Sequence, residues 1–426
     1  VYAGGKPAYR YDAHTGKDLF NLKHLKIGLC LVILCKTENK MSRGIKNICF
    51  FLFLAALPCL ADSYIESRLS KDMEDHRLDN YSKIQAAFIL SGATHPDSLS
   101  YYLKWYNTLV KTLKDYNFDP FDRINSAGNV FGYLHSNWLI TYQEKATTLI
   151  NVVKQKQFNC VAGTILYNLI CEDMGWATEA FETPTHTYTI FTDFSRRLMV
   201  ENTSGMGFNI MENLKEYSQY LLQFYPEDRR YQIGLDKIYA YENTQGRQIN
   251  NTELLGLLAY NRAYFAMQVK DYRSAFNFVT LAQQFNRDSR SNYNFEIDLY
   301  HKWGKKLFDE QNYEQSFEVF QIALSRHPEV KEFVQNSRAC FFNALATNWT
   351  QKNWQSTTQL VPAMLALQIM NDSDLTNLQR MLANWGDYFY RTQMKFECRQ
   401  TAALWAAVDP NNPQLQRFQA AIETLP

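Results

Sequence analysis

The chain has 426 residues, 44 Lys and Arg against 43 Asp and Glu, a formal net charge of +1, and 15% aromatic side chains, with 27 Tyr and 28 Phe. That length holds two or three domains with ample core, and the even charge balance excludes a globally basic nucleic-acid binder. No HExxH, CxxC, P-loop or GxGxxG pattern occurs, so neither a metal site nor a nucleotide site is supported and no cofactor is expected.

The first 61 residues read as processing sequence. Met41 opens a secretory signal: Arg43 and Lys46 are its basic region, 48–57 its apolar run, and Cys59-Leu60-Ala61 its small-residue cleavage site before Asp62. An apolar run of about ten residues is too short to span a bilayer. Residues 1–40 then read as a spurious upstream extension, and the protein as exported to the periplasm, the cell surface or the medium. No transmembrane segment is expected after cleavage. Four cysteines follow Ala61, namely Cys160, Cys171, Cys340 and Cys398. Cys160 and Cys171 are about 16 Å apart by helical rise, too far to pair.

Residues 62–157 read as a helical lobe. Thr94-His95-Pro96 breaks the first helical stretch, and Ser98 or Ser100 is available to cap a helix over 101–116. Tyr102, Trp105, Tyr106, Leu109, Val110 and Leu113 recur there at helical spacing. After Asp119-Pro120, the segments 127–134 and 138–157 continue in apolar, mostly helical style. His135 lies in this lobe, and nothing at its position recommends it as a base.

The stretch 158–210 carries the chemistry. Val161, Ile165, Leu166, Leu169 and Ile170 predict a helix over 160–174, with Asn159 as N-cap and Gly175 just past the end. Cys160 would sit on its first turn, where unpaired N–H groups and the helix dipole favour a thiolate and can hold an oxyanion. Segments 176–182, 185–192 and 197–201 have strand character. His186 would open the middle strand and Glu201 end the next, so an antiparallel pair can set them side by side. Nucleophile, base and orienting carboxylate then follow in order. Core packing explains a lone helical Cys or a lone strand-end His equally well.

The runs FNCVAGTILYNLICEDMGW, PTHTYTIF and LMVENTSGMGF resemble the core of the transglutaminase-like superfamily. That resemblance implies an α+β fold: a papain-like transglutaminase core of one helix and a short antiparallel sheet, an N-terminal helical lobe, and a C-terminal α-solenoid of helix pairs. It implies a triad of Cys160, His186 and Glu201. The commonest acid in the family is Asp, so Glu201 departs from the pattern. Asn202 is the alternative third member, because a papain-type triad uses an amide there. The activity implied is that of a thiol enzyme acting on amide bonds of a protein or peptide, by hydrolysis, deamidation or acyl transfer. The alternative is a catalytically inactive scaffold whose repeats bind a protein partner.

Residues 211–250 read as a linker region and 251–426 as helical repeats. Asp271-Tyr272-x-x-Ala275 returns 41 residues on as Asn312-Tyr313-x-x-Ser316, and again as Asn353-Trp354-x-x-Thr357. Gly304, Tyr313, Phe320, Ala323 and Pro328 resemble the small, aromatic and terminating positions of a tetratricopeptide unit. The first unit keeps Ala263, Ala275 and Ala282, the third is degenerate, and a fourth pair is expected over 382–408. Such units either buttress the core or form a groove for a peptide or partner protein.

Overall fold

The computed structural model describes residues 65–116, 118–119, 121–209 and 246–426. The expected signal peptide, the stretch before it and most of the expected linker lie outside the described residues. The chain divides into two compact units, one up to Phe295 and one from Glu296 onward.

The first unit is α+β. Its leading helices are α1 (Lys83–Leu90), α2 (Pro96–Lys114), α3 (Arg123–Asn137), α4 (Leu149–Gln155) and α5 (Cys160–Asp173). Local chemistry sets their ends. Ser82 with Gln85, and Thr148 with Asn151, form capping boxes on α1 and α4. The start of α2 differs from expectation. His95 caps it through its ring, accepting from the Asp97 N–H at 3.3 Å, and Pro96 takes the first helical position. Proline fits there because that N–H has no helical partner to lose. Ser98 and Ser100 therefore lie inside the helix.

Helix α5 is buried on every side from Val161 to Cys171, as befits a helix apolar all round. Gly175 follows at φ +75°, a conformation open to glycine at little cost. Tyr106 on α2 donates to Asp173 at 2.7 Å, and Tyr167 donates to the Ala127 carbonyl on α3 at 3.3 Å. These bonds tie the helical lobe to α5.

Two sheets accompany these helices. In the smaller one, β1 (Thr141–Tyr142) runs parallel to β2 (Gln157–Phe158). The larger is antiparallel, in the order β5-β4-β3-β6. Its strands are β3 (Ala177–Glu182), β4 (Thr187–Asp193), β5 (Arg196–Val200) and β6 (Arg247–Ile249). Thr178, Ala180 and Glu182 alternate inward on β3. The last strand corrects the expected linker: Arg247–Ile249 completes the sheet, and Asn250 with Glu253 forms a capping box on α6 (Asn251–Gln268). Helix α6 packs on α5, α1 and β3, and pairs with α7 (Tyr272–Phe285).

The second unit is a run of paired, stacked helices. It contains α8 (Arg290–Asp309, beginning before the division), α9 (Tyr313–Arg326), α10 (Lys331–Gln351), α11 (Trp354–Ala366), α12 (Asp372–Arg391), α13 (Lys395–Val408) and α14 (Pro413–Ile422). The expected fourth pair thus starts earlier, at Asp372. The 41-residue period is visible in the backbone. Lys270, Gln311, Lys352 and Gln393, each just before the second helix of a pair, have φ of 62°, 61°, 56° and 58°. Ala275, Ser316, Thr357 and Cys398 recur at the same interval, all buried. At the α8–α9 crossing a Cβ on Gly304 would collide with the Phe320 ring, and Ser316 donates to the Gly304 carbonyl at 2.8 Å. No helix among the described residues is long and apolar enough to cross a membrane.

Candidate active site

Cys160 is the first residue of α5 and is half-buried. Its position is fixed from both sides of the cap. The Asn159 carboxamide accepts from the Ala162 N–H and donates to the Glu144 carbonyl, each at 3.1 Å. Gly163, one turn on, lets the Asn202 backbone come close; a Cβ there would stand 3.1 Å from that carbonyl oxygen.

His186 ends the β3–β4 turn. Thr183 N–H donates to the His186 carbonyl at 2.8 Å, and His186 N–H donates to Thr183 Oγ1 at 3.0 Å, which closes the turn on itself. Glu201 follows the last residue of β5. Its N–H donates to the Gly207 carbonyl at 2.9 Å, and a Cβ at Gly207 would collide with the Glu201 carbonyl. Only glycine permits that approach.

His186 Nε2 and Glu201 Oε2 are 2.7 Å apart, with His186 7% and Glu201 0% exposed. The other carboxylate oxygen, Oε1, accepts from Thr203 N–H at 3.1 Å and Thr203 Oγ1 at 2.6 Å. The Cys160 side chain lies within hydrogen-bonding reach of the same imidazole. Burial alone would lower the His186 pKa. The Glu201 charge, hydrogen bonds with Cys160 and Glu201, and the Cys160 charge outweigh it and hold the group well above its ordinary 6.5. The buried imidazole is in this way biased toward its cation.

Asn202 goes elsewhere. Adjacent residues of an extended chain face opposite ways, and its carboxamide donates to Thr164 Oγ1 at 3.2 Å, Thr189 Oγ1 at 2.8 Å and the Val200 carbonyl at 3.3 Å. Of the two candidates for third member, Glu201 meets the imidazole and Asn202 does not. His135 stands at the edge of the cluster, its ring 5.8 Å from Phe158 and near Gly205. Burial pushes it down to about 4, against a backbone hydrogen bond at Leu139 and the Glu201 charge. Its Nε2 has no partner among the described residues.

The other cysteines are of another kind. Cys171, Cys340 and Cys398 are buried, and burial raises each thiol above its ordinary range. Among the described residues no group of three or more His, Cys, Asp or Glu is arranged to hold a metal ion. Clefts of about 980 and 790 Å³ open elsewhere in the first unit, and neither is lined by Cys160, His186 or Glu201. Thr203, which holds Glu201, escaped sequence reasoning; its only signal is that it lies two residues after the carboxylate, where a hydroxyl can reach back.

No protein-family model matches this chain, and no curated protein matches it.

Proposed function

We propose that this is a transglutaminase-like thiol enzyme with a papain-like core, acting on amide bonds of a protein or peptide. The observation that carries the reading is the buried His186–Glu201 pair, 2.7 Å apart, with the half-buried Cys160 beside it on a helix N-terminus. Cys160 attacks the amide carbonyl as its thiolate. The oxyanion that forms is held by N–H groups at the start of α5. His186 gives its proton to the leaving amine, which departs as the thioester forms. Water attacking the thioester yields hydrolysis or deamidation, and a lysine amine yields a crosslink. In either case His186 takes the attacking group's proton, and Glu201 holds the ring in one orientation throughout.

A second reading is a binding protein whose helix pairs hold a partner and whose core is catalytically silent. It is favoured by the 41-residue period of the helix pairs and asks nothing of Cys160, so the described architecture goes further toward it. Iodoacetamide alkylation of each cysteine from about pH 4 to 9, followed by mass spectrometry, separates the two. Fast labelling of Cys160 alone near pH 6, lost in His186→Ala, supports the enzyme. Labelling that rises only toward the ordinary thiol pKa of about 8.5 removes the enzyme and leaves the binding protein.

A further inference from the structure

One buried carboxylate on the sheet takes no part in the chemistry above. Glu182 ends β3, is 6% exposed, and immediately precedes the turn that carries His186. Its cross-strand neighbours are Thr187 on one side and Arg247 on the other. Ser289 Oγ donates to Oε1 at 2.8 Å and Asn286 Nδ2 to Oε2 at 3.0 Å. The Arg247 Nε stands 3.4 Å from Oε2, and the same guanidinium is held by Glu253 at 3.1 Å and by the Asn286 carboxamide oxygen. Gly246 makes this possible, because a Cβ there would collide with the Phe181 ring.

Sheet stability does not call for this arrangement. An apolar side chain at 182 would fill the space without the desolvation of a buried charge. What three polar partners on one carboxylate supply is a fixed position. Both ends of that fixing matter here, since Glu182 leads directly into the closed turn over 183–186. Asn286 and Ser289 belong to the α7–α8 connection, more than a hundred residues away in sequence.

We infer that Glu182 is a positioning residue for His186. The Arg247–Asn286–Ser289 clamp on its carboxylate fixes the turn and thereby the distance at which the imidazole meets Cys160. The inference rests on the thiol reading of the site. Reactive groups need placement within about 0.5 Å, so loosening the clamp weakens the imidazole–thiol contact while leaving all three site residues in the chain.

The test is the pH profile of Cys160 alkylation in the full chain, compared among the unaltered protein, Glu182→Gln, Ser289→Ala and Arg287→Ala. Arg287 lies on the same connection but lines the 790 Å³ cleft. Glu182→Gln should slow Cys160 labelling at pH 6 about tenfold and Ser289→Ala about threefold, in proportion to the thiolate lost. Arg287→Ala should leave the profile in place, and Cys171, Cys340 and Cys398 should stay protected throughout. Unchanged profiles in Glu182→Gln and Ser289→Ala, with fast labelling of the unaltered protein, would overturn the positioning role alone. Slow labelling of the unaltered protein at pH 6 would overturn the thiol reading and the inference with it. If Glu182→Gln exposes the three buried cysteines, the milder Ser289→Ala decides.

Discussion

Among the described residues two histidine–glutamate pairs are buried, one in each compact unit. In the first, His186 Nε2 meets Glu201 at 2.7 Å; in the second, His327 Nε2 meets Glu296 at 3.0 Å. Both pairs are almost fully enclosed, with His327 and Glu296 each 1% exposed. Their surroundings differ. Glu296 also receives the Arg326 guanidinium and the Tyr300 hydroxyl, the latter at 3.1 Å, and His327 Nδ1 faces Glu329 at 3.6 Å. Its charges are matched by neighbours on the same helices, which serves packing. Besides His186, Glu201 receives the neutral donors of Thr203, and the second neighbour of its imidazole is a thiol. A buried pair becomes a candidate site through what stands on the far side of the ring.

The comparison breaks most sharply if both carboxylates are neutralised in turn. Glu201→Gln removes the charge that holds His186 up, so Cys160 labelling at pH 6 should fall about 100-fold. Glu296→Gln should leave that profile where it is. The reverse holds for stability of the helical unit. Glu296→Gln removes the buried charge that Arg326 and His327 face and should cost about 3 kcal/mol, read as a lower denaturation midpoint; no change would mean the pair is idle.

His186 and His135, both in the first unit, shift in opposite directions. His186 is held above its ordinary 6.5, so its pair stabilises fully below that pH and the contribution is lost as pH rises through the raised value. His135 is pushed down to about 4, so its burial becomes costly as pH falls from about 6.5 toward 4. Relative to His135→Phe, the unaltered protein should lose about 3 kcal/mol of stability between pH 7 and pH 4, measured by urea unfolding at each pH. A constant difference would show that His135 keeps its ordinary affinity for protons. The smallest expected effect is in the backbone: Gln311→Gly relieves a left-handed residue at φ 61° and should raise the melting temperature of the helical unit, by about 1 kcal/mol of stability.

Local signals in the sequence were read well, and distant ones were silent. Asn159, the apolar run after it and Gly175 announced α5 nearly to its ends, because caps and helical periodicity are properties of neighbouring residues. The Thr, Tyr, Phe and Ile content of 185–192 marks β4, which runs from Thr187 to Asp193, in the same way. The repeat period was legible at Asp271, Asn312 and Asn353, yet the turn preceding each was not, since Lys270, Gln311, Lys352 and Gln393 carry none of the glycine or asparagine expected at positive φ. Strand β6 has no signal in the sequence because three residues have no period, and only pairing with β3 defines them. The choice between Glu201 and Asn202 was equally closed to sequence. Both are adjacent and polar just past β5, and the direction each side chain takes there decides it. The Glu182 clamp and the Glu296 cluster join residues far apart in the chain, where composition says nothing.

Gly207 and Thr203 separate what the fold needs from what the carboxylate needs. The glycine's missing side chain serves the backbone at Glu201 whether or not a thiol is used, so selection for the fold alone would preserve it. Thr203, by contrast, serves the carboxylate itself. Relatives in which the carboxylate has no task would keep the glycine and let the threonine drift, and relatives in which it has one would keep both.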